Sequence, residues 1–108
     1  MRRLALLALP ALLGMAAQAA TPSGQQIVMH GNNNGALPCA ACHGVNGQGK
    51  PSTGAPALAG MPASQITAAL ARIAQGQGSD VIMRSIARSL SPAEAQAVAD
   101  YFAGLPKP

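Results

Sequence analysis

Cys39, Cys42 and His43 are the residues of this 108-residue chain whose types and spacing could do chemistry. They stand together in CAACH, residues 39–43, which holds both cysteines of the chain. Two thiols one helical turn apart, with an imidazole directly behind, suit a redox dithiol, half a zinc site or a haem attachment point. A thioredoxin-like dithiol sits at the end of a strand in an α/β domain, and no stretch here alternates as strands do. Zinc would take two thiolates and one imidazole here and still need a fourth ligand, for which His30 is the only other histidine and no further cysteine exists. Haem employs all three residues. Each thiol can add to a vinyl group at one porphyrin edge, and the histidine then sits beneath the iron as proximal ligand.

The ends of the chain fit that chemistry. Residues 1–19 carry a basic head (Arg2, Arg3), an apolar run from Leu4 to Ala17, and the small-x-small triplet Ala17-Gln18-Ala19. That is the build of a secretory signal peptide cleaved after Ala19. The run is short for a membrane span and is broken by Pro10 and Gly14. Residues 20–108 then form one small exported domain, expected in the periplasm. It keeps five cations (Lys50, Arg72, Arg84, Arg88, Lys107) against three anions (Asp80, Glu94, Asp100), a net charge of +2. No basic cluster is interleaved with aromatics, so nucleic-acid binding has no support. One Tyr, one Phe and no Trp leave the domain short of bulky core residues. Small domains already bury a low fraction of their surface, so a bulky buried guest is the natural remedy. A Cys-x-x-Cys disulfide closes too short a loop to serve.

The elements that must position CAACH read as helices, and the fold class is all-α. Residues 22–30 suit a short helix capped by Thr21, with Pro22 in its first turn and Gly31 at its end. Residues 62–75 place Ile66, Ala69, Leu70 and Ile73 on one face. Ile82 and Ile86 mark a weaker helix over 80–89. In SPAEAQAVADYFAG, 91–104, Ser91 caps, Pro92 takes the first position and Glu94 completes a capping box. Ala95, Val98, Phe102 and Leu105 form its apolar face. Between these lie a polar turn, 31–38, and a glycine-rich loop, 44–61, whose apolar end is expected to pack on the domain.

CAACHG at 39–44, GAPALAG at 54–60, a methionine at 83 and the closing LSPAEAQAVADYFAGL at 90–105 resemble a class I c-type cytochrome. The likeness is to the small bacterial single-haem carriers and covers residues 23–105. It implies three to five helices around one covalent haem c held by Cys39 and Cys42. It places a glycine of the first helix against an aromatic of the last, here Gly24 against Tyr101 or Phe102.

Among Met29, His30, Met61 and Met83, the resemblance makes Met83 the axial ligand opposite His43. It makes the Pro56 carbonyl, with Leu58 two residues on, the support for the His43 ring. Leu58, Ile66, Leu70, Ile82 and Ile86 are expected to line or back the pocket, with Ile73 and Val98. Such carriers often hold an arginine after the middle helix; here the run is Gly76-Gln77-Gly78-Ser79, leaving Lys50, Arg72 and Arg84 as candidate propionate partners.

An iron closed by His43 and Met83 implies a one-electron carrier rather than an enzyme. Such a carrier works as a monomer and docks transiently through its apolar haem rim to a redox donor and acceptor, a membrane-bound respiratory enzyme among them. Three other readings stay open at this point. An unbound Met83 would leave a five-coordinate haem enzyme or gas sensor. The same domain could be the electron-entry subunit of a dehydrogenase or oxidase. A zinc- or disulfide-stabilised secreted protein would leave the shortage of aromatics unexplained.

Overall fold

Three of the five described helices begin where a side chain catches their first free amides. The computed structural model describes residues 22–108. The expected signal peptide, 1–19, and Thr21 lie outside them. Helix α1 spans Gly24–His30 and is capped by Ser23, whose hydroxyl accepts from the Gln26 amide at 3.1 Å. The start therefore falls two residues later than the sequence suggests, because Ser23 reaches the third helical amide. Helix α2 is the single turn Ala40–His43, and α3 spans Ala63–Ala74. Helix α4, Val81–Arg88, is capped by Asp80. Helix α5, Pro92–Ala103, carries the full capping box: Ser91 Oγ accepts from the Glu94 amide at 3.1 Å, and Glu94 Oε1 accepts from the Ser91 amide at 2.9 Å. Outside the helices, the one β-bridge among the described residues joins Lys50 to Ala55.

Packing follows from the spacing of apolar residues. Ile27 and Val28 of α1, Ile66 of α3 and Val98, Ala99 and Phe102 of α5 form one buried cluster. Helix α5 packs on α1 and α3, and α4 packs on α3. The α1–α5 crossing depends on Gly24. A Cβ there would overlap the Ala97 carbonyl and stand 2.9 Å from Tyr101 Cβ. Tyr101 is thus the aromatic that faces Gly24. Phe102, about 100° further round α5, is fully buried and lies over Gly47, where a Cβ would come within 2.8 Å of its ring.

The glycine-rich loop packs on the domain through its backbone. The Gly47 carbonyl accepts from the Leu58 and Ala59 amides at 2.8 and 3.0 Å, and the Gly60 amide donates to the Phe102 carbonyl at 2.9 Å. Asn32 ties the polar turn to the far end of the fold. Its amide donates to the Ser89 carbonyl at 2.8 Å and to the Glu94 carboxylate, while its Oδ1 accepts from the Ala36 amide at 2.8 Å. Nothing in the sequence marked Asn32 out from its two neighbours.

Candidate functional site

A cleft of about 990 Å³, open mouth included, runs between the CAACH turn and helices α3, α4 and α5. Three helices contribute walls by the same rule, two side chains four residues apart on one face. These are Ile66 and Leu70 from α3, Ile82 and Ile86 from α4, and Val98 and Phe102 from α5. Leu58 borders the cleft as well. Ile73 does not border it and stays partly exposed.

Cys39, Cys42 and His43 all border this space. Both thiols are free. Cys39 is half-buried, and burial pushes its thiol up to about 11. Cys42 is exposed at the mouth. His43 is buried, and its Nδ1 lies 2.8 Å from the Pro56 carbonyl oxygen. A carbonyl can only accept, so Nδ1 carries the proton and donates. In the neutral ring, the lone pair therefore stands on Nε2, the nitrogen left for the cleft.

Met83 borders the same cleft from α4. The other three candidates do not. Met29 and Met61 pack against the buried cluster, and His30 is exposed at the end of α1. Asp80 Oδ1 accepts from the Ile82 and Met83 amides, each at 3.0 Å, so the cap holds the methionine's own backbone.

The three candidate propionate partners are placed elsewhere. Lys50 Nζ donates to the Ala41 carbonyl at 3.2 Å, and Arg84 Nη2 donates to the Gly78 carbonyl at 3.0 Å. Arg72 is an exposed residue of α3, and none of the three borders the cleft. Lys50 from the loop and Arg84 from α4 have thus each found a backbone carbonyl. The polar side chains that do border the cleft besides His43 and the thiols are Thr53 and Asp80. Thr53 was not singled out by the sequence. Its hydroxyl donates to the Cys42 carbonyl at 2.7 Å.

The residues fit a covalent haem. A large apolar cleft is bordered by two free thiols and by a buried imidazole whose second nitrogen has no hydrogen-bond partner among the described residues. Zinc finds no such donor set: among the described residues, no three His, Cys, Asp or Glu side chains are grouped to hold a metal ion.

Comparison with known proteins points the same way. The family model described as cytochrome c matches residues 23–106. The thiosulfate dehydrogenase electron acceptor of Stutzerimonas stutzeri is 41% identical over 98 residues, 90% of this chain and 44% of that protein. The structure of cytochrome c4 from Acidithiobacillus ferrooxidans superposes with a TM-score of 0.70 at 31% identity, over 76% of this chain and 48% of that one. A thiosulfate dehydrogenase structure from Marichromatium purpuratum gives 0.74 at 30% identity, over 78% of this chain and 18% of its own. The chain thus spans less than half the length of the curated relatives it matches. With the fold, the cleft and the family model in agreement, the chain belongs to the cytochrome c family, whose covalent haem c is the group that its CAACH turn is built to take.

Proposed function

We propose that residues 20–108, once freed of a signal peptide at 1–19, act as a periplasmic single-electron carrier in which His43 and Met83 are the axial ligands. One observation carries this reading. The only methionine bordering the cleft among the described residues is Met83, and it shares that cleft with Cys39, Cys42 and His43. When bound, haem c supplies an iron that takes up and releases one electron. The protein's residues do the rest. Cys39 and Cys42 hold the group by thioether bonds, which fixes it through both redox states. His43 presents Nε2 because Pro56 keeps the proton on Nδ1. Met83 offers a soft thioether, a weak donor that favours the reduced state and raises the potential. The apolar pairs from α3, α4 and α5 would exclude water, and an iron held by both His43 and Met83 would have no place for substrate.

Electron exchange needs an exposed edge. Leu37 and Ile82 border the cleft and yet are 55% and 58% exposed, with Val81 beside them at 70%. Such an apolar rim suits brief docking of a monomer to a donor and an acceptor. The relative named as an electron acceptor of thiosulfate dehydrogenase supports a donor of that kind. No described helix is long and apolar enough to cross a membrane. A membrane-bound respiratory partner would be met through the same rim.

The test is an oxidised and a reduced visible spectrum of protein exported with a haem-maturation system, followed by acid–organic extraction. Unextractable haem, a sharp reduced c-type spectrum and a methionine–iron band in the oxidised state are expected. A high-spin spectrum with ready carbon monoxide binding would overturn the closed-iron reading.

A further inference from the structure

Helix α2 carries Cys42 and His43, with Cys39 as its N-cap, yet at four residues it is too short to hold its own shape. Each of its carbonyls is caught by the chain that follows. Ala40 O accepts from the Gly44 amide at 2.9 Å, Ala41 O from Lys50 Nζ at 3.2 Å, Cys42 O from Thr53 Oγ1 at 2.7 Å and His43 O from the Gly49 amide at 2.7 Å. Thr53 and Lys50 both also reach Ala55, beside the support of the histidine ring, but only Thr53 does so with the same side-chain atom.

Its hydroxyl has one proton and two oxygens within range, Cys42 O at 2.7 Å and Lys50 O at 3.2 Å. The shorter contact takes the proton. The lone pairs stay free to accept, and the Ala55 amide lies 3.3 Å away. Ala55 is held a second time, its carbonyl accepting from the Lys50 amide at 3.1 Å. Only one residue, Pro56, separates this doubly fixed point from the carbonyl that accepts from His43 Nδ1, and a proline ring fixes φ. One hydroxyl thus grips both sides of the His43–Pro56 hydrogen bond, the helix that carries the donor and the strand-like segment that carries the acceptor.

We propose that Thr53 is a positioning residue for the axial histidine, setting the strength of the His43–Pro56 hydrogen bond by clamping Cys42 to Ala55. The inference rests on the reading of His43 as an iron ligand. A firmer hydrogen bond from Nδ1 makes the imidazole a stronger donor and favours the oxidised state. Loosening the clamp therefore raises the potential.

The test uses mature holoprotein and two variants, Thr53→Val, which keeps the shape and loses the hydroxyl, and Thr53→Ser, which keeps the hydroxyl. Midpoint potentials and solvent exchange of the His43 ring N–H, followed by nitrogen-15 NMR, are the readouts. Thr53→Val is expected to raise the potential and to speed ring N–H exchange by about tenfold, the scale of one lost hydrogen bond. Thr53→Ser is expected to match the wild type in both. A melting temperature lowered in Thr53→Val with potential and ring exchange unchanged would show a merely structural residue and overturn the proposal. So would a Thr53→Ser protein displaced from wild type in both readouts, a result available even if Thr53→Val fails to mature. Failure of the ligand reading is seen separately, in a wild-type spectrum without low-spin histidine ligation.

Discussion

Asp80 Oδ1 accepts a hydrogen bond from the backbone amide of Met83 at 3.0 Å, so the cap of α4 holds the residue that faces the cleft. Removing a cap of this kind costs about 0.5–2 kcal/mol. Asp80→Ala is expected to lower stability by that amount in urea melts. It should also let added imidazole displace the methionine at lower concentration, read from loss of the oxidised methionine–iron band. An unaltered imidazole titration would separate the cap from the ligand.

Met83→Ala is expected to keep its haem, because Cys39 and Cys42 hold it by covalent bonds. The reduced protein should then bind carbon monoxide, and the oxidised spectrum should lose its methionine band. A variant with the wild-type spectrum would show that the sixth ligand lies elsewhere.

At the α1–α5 crossing, Gly24→Ala would drive a methyl group into the Ala97 carbonyl and the Tyr101 side chain. Both neighbours are anchored in α5, so the backbones must part. We expect a loss of about 2–3 kcal/mol, the upper range of overpacking. Gly76→Ala is the control: nothing stands within 4 Å of the added carbon, although the positive φ of 98° brings its own smaller strain.

The Glu94 carboxyl is held below the usual carboxylate range, first by the Ser91 amide and further by Asn32 and the Ser91 hydroxyl, against a smaller opposing effect of burial. A lowered folded-state value means that ionised Glu94 stabilises the fold fully above the unfolded-state value of about 4.3 and less as pH falls through the folded one. Glu94→Gln should therefore lose stability at pH 7 and approach the wild type in strong acid. Urea melts at pH 7 and pH 3 check this, and equal losses at both would contradict it. The effect is small because the group is near solvent.

Local signals were legible in the sequence and distant ones were not. The α5 capping box needs only Ser91, Pro92 and Glu94 in order, and both its hydrogen bonds are present. The apolar residues at Ile66 and Leu70, and at Ile82 and Ile86, found the cleft because four residues make about one turn. Tyr101 and Phe102 could not be told apart from spacing alone, since neighbours on a helix differ by about 100° and each turns out to face its own glycine, Gly24 and Gly47. Thr53, Asn32 and Lys50 act across folded loops, and composition gives their chemistry without their direction. Lys50 shows this best: its charge names the kind of partner it can take, and only the fold shows its Nζ on the Ala41 carbonyl.

Every donor that holds the carbonyls of α2 follows α2 in the chain, from Gly44 to Thr53. Alone, four residues cannot keep a helical turn, so the geometry of the CAACH turn is borrowed from the loop behind it.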